Sequence, residues 1–291
     1  MKSIRYFFEF ILVIIFFLIF KIIGLKLSSD LGEVIGKYFG PLFRKKTIAK
    51  KNILIAFPEL NEKSINKLIE SMWKNIGRIF GEYIHINKFS IIDEKKNKIV
   101  FVNKNNIEIL KKNNKPIVFF SGHFANFELM AKCLQELGFN IGAIYRPLNN
   151  YFLNPIMEFI RKKYICPIQI EKGSTGTKKL IKHISTNNPL ALMIDQRLSS
   201  SIRVPFFNQP ATTTTTPAQL AIKYDALLVP VFLKRNEKTN FEFFIEEPLV
   251  INRTNDYDRN IYDITEIMNK KIEEFIKRDP AHWLWSHDRW K

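Results

Sequence analysis

The sequence predicts an α/β fold, a mainly parallel sheet flanked by helices, carried behind an N-terminal membrane helix. Three observations predict it. Residues 117–120 form a short apolar run that ends in Ser121-Gly122 and passes at once into a helical pattern. Strand-like and helix-like segments then alternate along the chain, as parallel sheets require. Residues 6–25 read YFFEFILVIIFFLIFKIIGL and are almost wholly apolar.

That first segment would make a helix about 30 Å long, near the thickness of a bilayer core. Glu9 and Lys21 interrupt it near its ends; Lys can snorkel outward, and Glu9 lies four residues after Arg5. No small-residue cleavage site follows, which speaks against a removed signal peptide. Lys26, Lys37, Arg44, Lys45, Lys46, Lys50 and Lys51 follow the segment, whereas only Lys2 and Arg5 precede it. The positive-inside bias therefore puts the rest of the chain in the cytoplasm. Two units are expected: an anchoring helix over 1–25, spanning or monotopic, and one folded domain over 26–291. Residues 31–43 are apolar and glycine-bearing and read as a second surface-lying element.

Helices are expected at 64–84 and 104–112, a buried strand at 117–120 and a helix from about 124 to Gly138. Strands follow at 139–146 and 167–170, with helices at 151–164 and 177–186. LALMID (190–195) is a buried strand ending in Asp195. Residues 196–212 read as a loop. Thr and Pro217 open a helix over 214–225. Strands at 227–235 and 241–247 form an antiparallel pair, and an amphipathic helix runs from 258 to 278.

Lys and Arg outnumber Asp and Glu by 45 to 28, a formal charge of +17. Such an excess implies an anionic partner. Nucleic acid is disfavoured, because the lysines are scattered and no recognition motif occurs. Cys133 and Cys166 match no zinc or redox spacing and read as buried thiols. His282 and His287 lack a third ligand, so no metal is expected. The run from Gly173 to Lys179 lacks Walker spacing, and Ser174 stands in no nucleophile elbow.

The chemistry concentrates in GHFANFE, residues 122–128. His123 stands at the carboxyl end of a strand, where open α/β sheets put their sites. On one regular helix His123 and Glu128 would diverge by about 140°. With His123 in the preceding turn, its ring can fold back toward Glu128. The carboxylate then accepts from one ring nitrogen and leaves the other free to take a proton.

Together these segments resemble the late acyltransferases of lipid A biosynthesis, within the lysophospholipid acyltransferase superfamily. The resemblance runs through GHFANFE, IYRPLNNYFLNP (144–155), MIDQR (193–197), VPFFNQPATTTTTPAQLA (204–221), VPVF (229–232) and PAHWLWSHDRWK (280–291). Glu at 128 favours that branch over glycerolipid acyltransferases, whose motif ends in Asp. Asn208 and Asp288 depart from the family pattern. The resemblance implies acyl transfer from acyl carrier protein to a hydroxyl of a Kdo-lipid IVA-type precursor, at the cytoplasmic side of a bacterial inner membrane. His123 would be the general base and Glu128 its orienter. No cofactor is implied beyond the acyl carrier protein thioester as donor substrate. Arg146, Asp195, Gln196 and Arg289 are implied in substrate binding or oxyanion stabilisation. Arg146 is expected to hold either the oxyanion or a phosphate, and Asp195 to hold Arg146 or Arg197. Amides of the helix beyond His123 are a second source of oxyanion donors. The rival readings are a glycerolipid acyltransferase, a lipid hydrolase working through the same His, and a membrane-tethered basic binding protein.

Overall fold

The computed structural model describes residues 2–93, 95–197 and 201–291. Four helices come first: α1 (Lys2–Ile23), α2 (Leu25–Phe43), α3 (Lys46–Ala56) and α4 (Glu62–Tyr83). The chain then alternates through β1 (Phe89–Ser90), β2 (Asn97–Phe101), α5 (Asn105–Lys112), β3 (Ile117–Ser121) and α6 (Glu128–Glu136). It continues through β4 (Gly142–Tyr145), α7 (Asn154–Tyr164), β5 (Ile168–Glu171), α8 (Ser174–Ser185) and β6 (Leu190–Met193). The last part holds β7 (Ile202–Phe206), β8 (Gln209–Thr213), α9 (Thr216–Tyr224), β9 (Leu227–Arg235), β10 (Phe241–Ile245) and α10 (Tyr257–Arg278).

Eight strands form one sheet in the order β1-β2-β10-β9-β3-β6-β4-β5. Every neighbouring pair is parallel except β9 and β10. β3 is central and fully buried, since apolar layers cover both faces. One layer includes Leu129 and Cys133 of α6 and Ile160 of α7; the other includes Leu180 of α8, Ala218 of α9 and Phe275 of α10. This split follows from right-handed crossovers that step along the sheet in opposite directions, from β3 to β4 and β5 through α6 and α7, and back from β5 to β6 and β9 through α8 and α9.

Residues 196–212 are not all loop. β7 and β8 form an antiparallel hairpin whose turn residues Phe207 and Asn208 both have positive φ (48° and 58°). Such a turn fits the strand twist, and Asn tolerates it without glycine. The segment expected to be surface-lying is part of α2, a 19-residue helix. It begins where Gly24, at φ 81°, breaks the apolar helix.

α2 packs against α4 backbone to backbone. A Cβ on Gly77 would lie 1.9 Å from the Gly32 carbonyl oxygen, and one on Gly36 would lie 2.2 Å from the Trp73 carbonyl oxygen. α1 is long and apolar enough to cross a membrane, and little of it is buried. It touches the domain near both ends, and only Phe17 and Phe20 are buried. Phe16, Phe17 and Phe20 pack on Phe80, and Phe7 and Phe10 pack on Phe152.

Candidate active site

The pairing of β3 with β6 builds the centre of the site. The register runs from Val118↔Leu190 to Ser121↔Met193. His123 and Asp195 each stand two residues further on, so the two strand ends deliver them side by side. Gly122 permits the approach: a Cβ there would lie 3.0 Å from Asp195 Oδ2 and 2.8 Å from the Phe124 ring.

Asp195 is 3% exposed and accepts three hydrogen bonds. His123 Nδ1 lies 2.7 Å from Oδ1, and the His123 backbone N–H donates to Oδ2 at 2.7 Å. Trp283 Nε1 donates to Oδ2 at 2.9 Å. Burial alone would raise this carboxyl. The His123 charge, both His123 hydrogen bonds and the Trp283 indole outweigh burial and hold it down at about 2. A carboxylate on Nδ1 fixes the tautomer, so Nε2 keeps its lone pair. Gln196 Nε2 lies 3.2 Å from that nitrogen, and Phe127 meets the ring edge-on at 4.8 Å.

Glu128 has other partners. Arg161 grips it with Nη2 at 2.5 Å and Nε at 3.1 Å. Burial works to lower the Arg161 pKa, but the Glu128 carboxylate more than reverses it. The expected Glu128–His123 hydrogen bond is therefore replaced by Asp195–His123. The reason is geometric: Glu128 opens α6 after a four-residue turn and points to α7, whereas Asp195 arrives on the neighbouring strand.

A cavity of about 900 Å³ opens at this end of the sheet. His123, Glu128, Arg161, Gln196, Arg146 and Lys172 line its polar part. Phe119, Met130, Ala131, Leu134, Ala143 and Met193 line an apolar arm between the sheet and α6. Among the described residues no group of three or more His, Cys, Asp or Glu could hold a metal.

The turn carrying His123 is strained and clamped. Ala125 has φ 44°, a left-handed backbone that costs a side chain about 1–2 kcal/mol. Its N–H donates to the His282 carbonyl, and its carbonyl accepts from Asn75 Nδ2. The Phe124 N–H is spent on the Gly122 carbonyl. Those two amides, the first after His123, are thus not open oxyanion donors.

The family model described as bacterial lipid A biosynthesis acyltransferase matches residues 1–291. The chain belongs to that family. A lipid A biosynthesis acyltransferase of Haemophilus influenzae is 25% identical over 88% of this chain and 83% of its own length. A lipid A biosynthesis palmitoleoyltransferase of Escherichia coli is 24% identical over 90% and 84%. The solved structure of a 1-acyl-sn-glycerophosphate acyltransferase from Thermotoga maritima aligns over 94% of this chain and 98% of its own, with a TM-score of 0.37 and 11% identity.

In this acyltransferase four of the six residues singled out from sequence, His123, Glu128, Arg146 and Gln196, line the cavity. Asp195 supports the His123 ring from behind and holds neither Arg146 nor Arg197. Arg289 is a correction. It is fully buried, with Nη2 donating to Thr213 Oγ1 at 2.7 Å and Nη1 to the Thr212 carbonyl, and its guanidinium stacks over Phe206. Burial pushes its pKa down to about 10, against the pull of Asp195. It braces the C-terminal tail against the β7–β8 hairpin and does not reach the cavity. Arg161 and Trp283 were missed. The signal for Arg161 was its place on the inward face of α7, four residues after Met157. The C-terminal tail drew notice only as a motif, with nothing in it pointing Trp283 at Asp195.

Proposed function

We propose that the chain moves a fatty acyl group from an acyl carrier protein thioester to a hydroxyl of a lipid A precursor, with His123 as general base. The reading rests on one observation: His123 lines the cavity with its ring held by Asp195 through Nδ1, which leaves Nε2, beside the Gln196 amide, as the nitrogen able to take a proton. A base so held takes the hydroxyl proton as the oxygen attacks the thioester carbonyl. Asp195 fixes the tautomer and stabilises the imidazolium that forms. The carbonyl oxygen gains charge as the tetrahedral intermediate forms, and Gln196 and Arg146 are the donors nearest in kind to meet it. Collapse expels the thiolate, which recovers the proton from His123. The thioester is already activated, so the step needs no covalent enzyme intermediate.

Glu128 has a different part in this scheme from a partner of the ring. Its pairing with Arg161 joins α6 to α7 in the polar part of the cavity. The apolar arm suits a long acyl chain, and the Escherichia coli relative is named for palmitoleoyl transfer. The charge of +17 suits two acidic partners, the carrier protein and a phosphorylated glycolipid of Kdo-lipid IVA type. The apolar faces of α1 and α2 keep the catalytic domain at the cytoplasmic side of the bacterial inner membrane.

The test incubates the purified protein with mixed acyl carrier protein thioesters, acyl-coenzyme A, the glycolipid precursor and lysophosphatidate together, and reads the products by mass spectrometry. The expected product is the acylated glycolipid, made from the carrier thioester. Acylated lysophosphatidate as the main product would move the chain to glycerolipids, and free fatty acid alone would make it a hydrolase.

A further inference from the structure

A second ionic cluster lies behind the site. Glu82, in the last turn of α4, has no exposed surface, and Arg235, at the end of β9, is 4% exposed. Arg235 Nη1 donates to Glu82 Oε1 at 2.6 Å and Nη2 to Oε2 at 3.0 Å. Ser29 Oγ of α2 donates to Oε1 at 2.7 Å, and Asn126 Nδ2 donates to Oε2 at 2.8 Å. Arg235 Nε donates to Asn75 Oδ1 at 2.9 Å. Asn75 Nδ2 in turn donates to the Ala125 carbonyl at 3.1 Å.

Stability is a poor explanation for such a cluster. Taking two charges out of water offsets most of their attraction, and well-packed apolar residues would join α4 to β9 as firmly. Apolar residues could not hold the turn that follows His123. Ala125 is left-handed, and its carbonyl and the Asn126 amide both point into this cluster. Without a donor at Asn75 and an acceptor at Glu82, that turn would relax toward an ordinary backbone. His123 stands two residues before Ala125, and its own N–H is bonded to Asp195.

We propose that Glu82, Arg235 and Asn75 are positioning residues for His123, acting through the Ala125–Asn126 turn. The proposal rests on the reading of His123 as the base. It also gives the glycine-packed contact of α2 with α4 a purpose. Ser29 ties α2 to Glu82, so the helix pair forms the mount on which the catalytic turn is set.

The test uses the full-length protein in detergent, labelled with ¹⁵N-histidine. Asn75→Ala and Asn126→Ala leave the ion pair in place; the double variant Glu82→Met/Arg235→Met removes both charges together. All should stay folded, with KM for donor and acceptor within about twofold and kcat down about 10- to 100-fold, the cost of misplacing a catalytic group by an ångström or less. The downfield Nδ1–H signal of His123, assigned by its loss in His123→Ala, should shift or broaden in each. If the double variant fails to fold, the two Asn variants carry the test alone. A folded variant set with kcat within about threefold of wild type, far short of that cost, overturns the proposal. So does a fall in kcat with the His123 signal unmoved. Activity surviving in His123→Ala would instead sink the reading of His123 as base, whatever the network variants do to the signal.

Discussion

His123 and Asp195 occupy matching positions on adjacent strands, each two residues past the last registered pair of β3 and β6. Their 2.7 Å contact is a product of sheet register, made between residues 72 apart in the chain. The first prediction follows from it. Asp195→Asn keeps the shape but can donate to Nδ1, which favours the wrong tautomer. The rate should fall about 10²–10⁴-fold, approaching that of His123→Ala. Single-turnover acyl transfer checks this. An Asp195→Asn rate near wild type would reassign the orienter.

Glu128 and Arg161 predict a different pattern. Their side chains are 10% and 15% exposed, so removing one leaves a largely buried charge unpaired. Glu128→Ala should cost about 3–5 kcal/mol of stability, and Glu128→Ala/Arg161→Met should recover much of it. Thermal melts of the two variants decide the matter. If the double variant melts no higher than the single one, the pair is not the main role of Glu128.

These two carboxylates show where the sequence could be read and where it could not. His123 was legible as a site residue because an apolar run, a Ser-Gly break and a helical pattern fix a strand-to-helix turn locally. Glu128 and Asp195 were both visible as carboxylates near strand ends. Which one meets the ring depends on β6 lying beside β3, and no local periodicity encodes that neighbour. The β7–β8 hairpin escaped notice for a related reason: its turn uses Phe207-Asn208 in place of a glycine pair. α3 has no side-chain cap at its start and gave no start signal. Arg289 looked like a ligand-binding cation because exposure is a tertiary property. The strand at 227–235 and the amphipathic helix near 258–278, by contrast, agree with β9 and α10 almost to the residue, since a continuous apolar run marks a strand buried on both faces and a 3.6-residue stripe marks the helix.

Asp195 also predicts acid sensitivity. Its carboxyl, near 2 in the folded protein, lies below the ordinary 3.8. A depressed carboxyl stabilises the fold above its unfolded value and loses that contribution as pH falls through the folded one. The contribution is about 2 kcal/mol, present above pH 4 and gone by about pH 2. Urea midpoints of wild type and Asp195→Asn should differ at pH 5 and converge as pH drops toward 2. A gap that widens on acidification would contradict the sign.

The contact of α2 with α4 admits no side chain at its closest points. Gly77→Ala would drive a methyl group into the Gly32 carbonyl. The helices must separate, at a cost of about 1–3 kcal/mol for overpacking. The same shift moves Ser29 and Glu82 apart, so activity should fall more than stability does. Gly24→Ala serves as the contrast, because nothing lies within 4 Å of its added Cβ and only its positive φ opposes it. A Gly77→Ala protein with wild-type melting and turnover would show that the helices can part freely.

The last prediction concerns how the N-terminal helices meet the membrane. α1 is bound to the domain near both of its ends, through Phe20 on Phe80 and through Asn150 Nδ2 on the Tyr6 carbonyl. A helix fastened in this way cannot cross a bilayer while its domain stays wholly on one side. Its outer face exposes Phe8, Leu12, Leu18 and Ile22, and α2 adds Val34, Tyr38, Leu42 and Phe43. That surface suits helices lying along one leaflet, held by apolar contact and by the lysines that follow. Deleting residues 1–24 should therefore weaken binding to anionic vesicles without abolishing it, and leave the remainder more sensitive to salt. Flotation assays measure both effects. Cys133 and Cys166 are buried, so a Ser3→Cys protein offers one reactive thiol. Labelling of that thiol from the same side of inner-membrane vesicles as a Lys45→Cys thiol is the expected result. Labelling from opposite sides would mean that α1 spans the bilayer and that its contacts with the domain are not kept there.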